Sequence, residues 1–245
     1  MTQLTRRSFI IGSSAVASGG LAIGLQAFVS PSAAQTAAVA GDLATSDAEV
    51  NVWVVIKPDD TCVIRIARSE MGQGTRTGLA QLVAEELACD WKKVTTEMPT
   101  PGQSVARKRA WGEMSTGGSR GIRISEDYVR RGGAAARIML VQAAAAKLGV
   151  PAADLTVANG VITHAVSNRS LRYGEVAADA AKLTPPDLKA IKLKDPRQWT
   201  LAGKPMARID TNEKLNGSLV YSADIQLPNM LCAAIKDCPC LAANW

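Results

Sequence analysis

Arg68-Ser69-Glu70-Met71-Gly72-Gln73-Gly74-Thr75-Arg76-Thr77-Gly78 is the stretch on which the fold of this chain turns. Upstream, residues 61–67 read as a strand; downstream, Leu79, Leu82, Val83 and Leu87 recur at helical spacing. The stretch is therefore a glycine-rich connection from a strand into a helix with one inward face. Gly72 and Gly74 remove two β-carbons there, so backbone N–H groups can approach a ligand and the helix N-terminus can face an anion. The pattern is neither GxGxxG nor a P-loop, since no lysine follows the second glycine. By spacing alone, an ordinary tight loop is the simpler reading. On the following helix Glu85 and Glu86 look like a carboxylate pair, but neighbours on a helix point about 100° apart. A solvated or helix-supporting role is expected for them rather than acid/base chemistry.

Working outward, residues 50–56 are expected as one strand that returns through the turn Lys57-Pro58-Asp59-Asp60. A second loop, Ser115-Thr116-Gly117-Gly118-Ser119-Arg120, precedes a long alanine-rich helix with Ser125, Glu126 and Asp127 near its start. That helix should end at Lys147-Leu148, with Gly149 as C-terminal cap and Pro151 barring continuation. Asn159-Gly160, between two short β-rich runs, is the strongest short-range hairpin signal. A short helix is expected over 173–182. Residues 184–205 hold Pro185, Pro186, Pro196 and Pro205 among lysines and read as an extended linker. A new unit then opens with Arg208-Ile209-Asp210 and Leu219-Val220-Tyr221 as strands around an Asn216-Gly217 turn. The fold class is α+β.

A length of 245 residues allows one large or two small domains. A chain that is 47% hydrophobic and 20% charged is neither disordered nor a polytopic membrane protein. The balance of 28 Lys+Arg against 22 Asp+Glu gives +6 without a run of five basic residues, so no nucleic-acid partner is expected. The single histidine, His164, argues against a multi-histidine metal site or a His-based triad; its hairpin position suggests an ordinary surface residue. Cys62, Cys89, Cys232, Cys238 and Cys240 contain no CxxC pair, so a redox cofactor would be held by something other than cysteine, and no metal-ligand set is named.

At the N-terminus, Thr5-Arg6-Arg7-Ser8-Phe9 precedes a charge-free run over 8–41 that contains Pro31-Ser32-Ala33-Ala34-Gln35. Paired arginines, a following Phe9 and small residues at Ser32 and Ala34 resemble a twin-arginine export signal with a cleavage site. A membrane anchor needs about 20 predominantly apolar residues. Here Gly12, Ser13, Ser14, Ser18, Gly19, Gly20, Gly24 and Gln26 dilute the run. The signal is preferred, whether cleaved or retained as an anchor, and places the protein in the periplasm, free or membrane-associated. The twin-arginine route carries folded proteins, which suits a cofactor acquired in the cytoplasm.

The full wording of the loops goes further than their spacing. Ser69 to Thr75, continuing into Leu82-Val83-Ala84-Glu85-Glu86-Leu87, resembles the pterin-binding segment of the large subunit in the xanthine oxidase family of molybdenum hydroxylases. Ser115-Thr116-Gly117-Gly118-Ser119-Arg120 is similar to that family's second cofactor loop. Arg208-Ile209-Asp210-Thr211-Asn212-Glu213-Lys214-Leu215-Asn216-Gly217, with Tyr221 to Ile225 and Leu227 to Leu231, resembles the opening of its hammerhead domain. The hammerhead follows the MGQG segment here, an order that resembles the isoquinoline 1-oxidoreductase beta-subunit group and the related membrane-bound aldehyde dehydrogenases. The resemblance implies a signal over 1–41, part of a molybdopterin-binding domain over 47–183, a linker over 184–205 and the first strands of an α/β hammerhead domain over 206–239.

The resemblance also implies a molybdenum-carrying molybdopterin, in its cytosine dinucleotide form, as cofactor. Gly72, Gln73, Gly74 and Thr75 are assigned to it, as are Gly117, Gly118 and Ser119. Gln73 carries both an amide donor and a carbonyl acceptor, which suits a pterin edge. Such enzymes hydroxylate a carbon beside a ring nitrogen, or oxidise an aldehyde carbon. Implied partners are a small iron-sulfur subunit, a cytochrome c electron acceptor and the twin-arginine export machinery. The family's general base is a glutamate near the end of a much longer chain, and no glutamate here sits in that motif, so no catalytic residue is named. This chain as written is expected to be inactive by itself. Relatives continue from a Cys-Pro like Cys238-Pro239 with something resembling Val-Phe-Gly-Gly-Lys-Leu. Deleting the first base of GTG TTT GGC GGC AAA CTG G leaves codons for Cys240 to Trp245, so residues 240–245 are expected to be a frameshifted tail. A non-catalytic exported binding module is the alternative from another class.

Overall fold

The computed structural model describes residues 47–235. The export signal expected over 1–41, the thiols of Cys238 and Cys240, and the tail expected over 240–245 lie outside the described residues. The chain divides into two compact units between Lys204 and Pro205.

In the first unit, β1 (Ala48–Asn51), β2 (Val54–Ile56), β3 (Cys62–Arg65) and β4 (Val94–Glu97) form one sheet in that order. The run expected as a single strand over 50–56 is two strands, because Asn51 turns the chain. Its Oδ1 accepts the N–H groups of Trp53 at 2.9 Å and Val54 at 3.0 Å, a local side-chain bond that competes with ladder pairing. β1 then pairs antiparallel with β2, and β2 with β3. β3 and β4 are parallel, which demands a crossover, and α1 (Thr75–Leu87) is its helix.

After α2 (Pro101–Ala106) and the short α3 (Arg120–Arg123), α4 runs over Glu126–Leu148 and stops where Gly149 takes a left-handed φ of 67°. β5 (Leu155–Ala158), β6 (Val161–His164) and β7 (Arg169–Arg172) form an antiparallel meander. The first turn of that meander has Asn159 at φ 51° and Gly160 at φ 76°, as a tight hairpin requires. The helix expected over 173–182 is α5 (Tyr173–Ala180). His164 is not a surface residue: Ile162 and His164 share the inward side of β6, and its Nδ1 lies 2.7 Å from Ser167 Oγ. The core forms where α1 packs on α4, with Leu79, Val83, Leu87, Ala136, Met139 and Leu140 buried.

Of the extended linker expected over 184–205, residues 184–204 form a strap on this unit instead. Ile191 is buried with Ala134 and Ala135 of α4. Glu85 and Glu86, expected to be solvated, are both 0% exposed and hold the strap. Glu85 Oε2 accepts the N–H groups of Thr200 at 2.8 Å, Leu201 at 2.6 Å and Ala202 at 3.2 Å, while Lys194 Nζ lies 3.2 Å from its Oε1. The strap's backbone needs acceptors and a buried carboxylate needs donors, so each satisfies the other. Burial opposes the charge of Glu85, but the N–H groups of Leu201 and Thr200, the Lys194 ammonium and the Ala202 N–H outweigh it and hold the carboxyl below its ordinary 4.5. A carboxyl depressed in the folded state stabilises fully above the unfolded value and ceases to do so as pH falls through the folded one. The protection of the 200–202 amides, taken relative to their intrinsic exchange rates, should therefore be high at neutral pH and fall once the pH is clearly below 4.5. Glu85→Gln should flatten that dependence. Protection that stays unchanged down to about pH 2 would contradict the assignment.

The second unit has a short helix where strands around a turn are expected. Among its described residues the elements are α6 (Thr211–Leu215) and a 3-10 turn over Ser222–Asp224; the strands expected at 208–210 and 219–221 do not form. Asp210 Oδ2 accepts from Arg208 at 2.9 Å and from Lys214, four residues on, at 2.5 Å. A helical backbone sets residues i and i+4 beside each other, as in this pair. The Arg208 hydrogen bond, with Lys214 behind it, holds the Asp210 carboxyl far below the ordinary aspartate range. The described residues are α+β. Among the described residues no helix is long and apolar enough to cross a membrane.

Candidate functional site

Loop 1, residues 69–74, runs from β3 towards α1, and loop 2, residues 115–119, ends at the start of α3. The structure brings them together at one carbonyl. Ser69 O accepts both Gln73 Nε2 and Thr116 Oγ1 at 2.9 Å. Below them, Gly121 of α3 packs so tightly on α1 that a β-carbon there would lie 2.9 Å from Thr75 Oγ1.

Arg68, at the root of loop 1, is 2% exposed, and a buried guanidinium must be paired. It donates from Nε to Ser125 Oγ at 2.9 Å and from Nη1 to Ser115 O at 2.7 Å, with Glu113 at 3.6 Å. One side chain thus ties loop 1 to the beginning of loop 2 and the start of α4. Glu113 accepts the Ser115 hydroxyl, and with Arg120 and Arg68 nearby its carboxyl sits below the ordinary glutamate value.

The residues named from the sequence are not equivalent. Gly72 and Gly74 hold φ of 100° and 87°, values that favour glycine, and they let the chain double back on itself. Gln73 is exposed, and its carboxamide closes the loop. Oε1 accepts Met71 N–H at 2.6 Å, and Nε2 donates to Ser69 O and, at 2.8 Å, to Thr75 Oγ1. Thr75 is itself 3% exposed, so its hydroxyl anchors Gln73 and does not face solvent. In loop 2, Gly117 has open space around it, Gly118 has φ 55°, and Ser119 precedes α3 in a left-handed conformation at φ 56°.

Glu70 is the residue that sequence reasoning missed. Its Oε1 accepts the N–H groups of Gly72 at 2.8 Å and Gly74 at 3.0 Å, and its Oε2 accepts Arg76 N–H at 2.8 Å. The available signal was that Gly74, at the N-cap of α1, has no side chain with which to cap, and the first turn carries no acidic residue. An acceptor had to come from upstream, and Glu70 is the carboxylate in loop 1.

A ligand at this face therefore meets the exposed Gln73 carboxamide, three consecutive small residues in loop 2 and the carbonyl of Ser69 between them. Among the described residues no group of three or more His, Cys, Asp or Glu could hold a metal ion. Cys62 and Cys89 are buried; a hydrogen bond to Cys62, then burial, pushes the Cys89 thiol far above its ordinary value, which leaves it inert. A cleft of about 590 Å³, lined by residues including Arg137, Val141, Gln142, Thr156 and Lys194, shares no residue with either loop.

The sequence profile of the molybdopterin cofactor-binding domain matches residues 13–223. The beta subunit of isoquinoline 1-oxidoreductase from Brevundimonas diminuta is 34% identical over 239 residues, covering 82% of this chain and 31% of that protein. Membrane-bound aldehyde dehydrogenase (pyrroloquinoline-quinone) of Gluconacetobacter polyoxogenes is 30% identical over 187 residues, covering 75% and 23%. A nicotinate dehydrogenase subunit from Pseudomonas putida is 30% identical over 198 residues, covering 75% and 15%. The chain thus spans less than a third of the length of these curated relatives.

Proposed function

Because this chain belongs to the molybdopterin cofactor-binding domain family, we propose that it forms the cofactor-binding part of an exported molybdenum hydroxylase large subunit that oxidises N-heterocycles. The observation that carries this reading is the meeting of Gln73 and loop 2 at Ser69 O. A pterin edge presents donors and acceptors side by side, and an exposed carboxamide can answer both. The fit to the cofactor is divided. Gln73, in a loop shaped by Gly72, Gly74 and Thr75, would hold the pterin edge, with Gly117, Gly118 and Ser119 facing it from loop 2. A pyrophosphate does not fit the start of α1, where Glu70 already accepts three N–H groups. When bound, the cofactor supplies the oxidation of a substrate carbon.

N-heterocycles are preferred over aldehydes because the relative named for isoquinoline matches at 34%, against 30% for the aldehyde dehydrogenase. The cytosine dinucleotide form, an iron-sulfur partner subunit and a cytochrome c acceptor belong to the same proposal and rest on resemblance. Export to the periplasm rests on Arg6 and Arg7 ahead of the charge-free run. No glutamate of this chain sits in the motif that carries the general base in the family it resembles, so this chain alone should turn over no substrate.

Metal and nucleotide analysis of the assembled enzyme tests the reading: molybdenum with cytosine nucleotide supports it, and their absence refutes it. In that assembly Gln73→Ala should reduce cofactor retention, since each polar group left unpaired in a buried contact costs about 1–3 kcal/mol. Wild-type molybdenum content and turnover in the variant would remove Gln73 from the site.

A further inference from the structure

The first turn of a helix has N–H groups without intrahelical partners and a partial positive charge, which is the usual setting for a bound phosphate. At the start of α1 two of these groups, the N–H of the N-cap Gly74 and that of Arg76, are already engaged, together with the Gly72 N–H of the loop before it. Gly72, Gly74 and Arg76 donate to the two oxygens of one carboxylate at 2.8, 3.0 and 2.8 Å. The carboxylate is the chain's own, four residues before the N-cap. The φ of 100° at Gly72 and 87° at Gly74 is the bend that carries the backbone around it.

A second anion at this place would sit within a few ångströms of Glu70, and two such charges cannot both be held there ionised. The Gln73 carboxamide has a different status. It is exposed, and each of its bonds, to Met71 N–H, Ser69 O and Thr75 Oγ1, can be exchanged for a ligand's by rotating a side chain. Such a rotation leaves the bonds to Glu70, and with them the loop backbone, unchanged. The loop thus has a fixed part and a movable part.

We infer that Glu70 is a positioning residue that fills the anion place at the start of α1, fixing the backbone from which Gln73 works and excluding the cofactor's phosphates from that helix end. Its consequence for the cofactor rests on the proposed function; the filled anion place does not.

The test uses the full 245-residue chain, as wild type, Glu70→Ala and Glu70→Gln, with inorganic pyrophosphate as probe. In the wild type, hydrogen exchange at Gly72, Gly74 and Arg76 should be slow and indifferent to millimolar pyrophosphate. In Glu70→Ala it should rise by roughly tenfold or more, as expected on losing charge-assisted hydrogen bonds, and pyrophosphate should restore much of the protection. Glu70→Gln keeps the size and one carbonyl acceptor, so it should show a smaller rise with the fold retained by circular dichroism. If Glu70→Ala fails to fold, Glu70→Gln decides: unchanged exchange at all three positions would overturn the inference. So would wild-type amides that gain protection from pyrophosphate. Absence of molybdenum from the assembled enzyme would defeat the proposed function and leave these exchange results untouched.

Discussion

Glu86→Ala should lower the free energy of unfolding by about 3–5 kcal/mol, the cost of removing one partner from a buried ion pair. Glu86 is 0% exposed, and its Oε1 accepts Arg130 Nε at 3.0 Å and Nη2 at 2.7 Å. Its two oxygens also accept the strap's Lys194 N–H at 3.2 Å. Without it, Arg130, 7% exposed, loses the partner that cancels its charge. What remains to Arg130 is the carbonyl of Lys194 at 2.7 Å, the Trp199 ring at 4.9 Å and Glu126 at 3.4 Å. Glu126 is 46% exposed, so its pair with Arg130 is screened by water. Glu126→Ala should accordingly cost less than about 1 kcal/mol. Urea unfolding of both variants checks the contrast; similar small losses would mean that burial does not amplify the Glu86 pair.

Gly133→Ala should also destabilise strongly, although alanine is the better helix former by about 1 kcal/mol. A β-carbon at Gly133 would lie 2.5 Å from Val83 O and 3.2 Å from Val83 Cα, and both are backbone atoms of α1. No rotamer change relieves that contact; α1 and α4 must move apart. Overpacking of this kind costs about 1–3 kcal/mol or more, enough to reverse the propensity gain. Gly149→Ala is the control for crowding, because its ideal β-carbon meets nothing within 4 Å and only its φ of 67° opposes it. A Gly133→Ala variant as stable as the wild type would show that the helix pair is not closely packed there. Because α1 starts at the end of loop 1, separation of the helices should also loosen the Gly121 contact with Thr75.

The misread strap shows where sequence signals run out. Pro185, Pro186, Pro196 and nearby lysines have the composition of a linker, and composition is all that a single segment displays. The groups that dock it, Glu85 and Glu86, lie more than a hundred residues away and resemble a solvated pair when read on their own helix. Asn51 misled in the opposite way: its neighbours are good strand formers, and only its side-chain bonds to Trp53 and Val54 break the run.

By itself the sequence determined the elements that carry a strong local signal or a motif's wording. Gly149 ends α4, Asn159-Gly160 makes the hairpin, the helical spacing of Leu79 to Leu87 makes α1, and the family is legible in the sequence, whose profile match spans residues 13–223. The assembled structure showed which polar groups of those loops remain for a ligand, through local bonds of Glu70 as well as long-range packing. Glu70 takes three N–H groups, Thr75 is buried beneath Gln73, and Arg68 joins loops 47 residues apart through Ser115. The physical reason is that a hydrogen-bonding group belongs to whichever partner packing brings within about 3 Å, and that distance is a property of the assembled core.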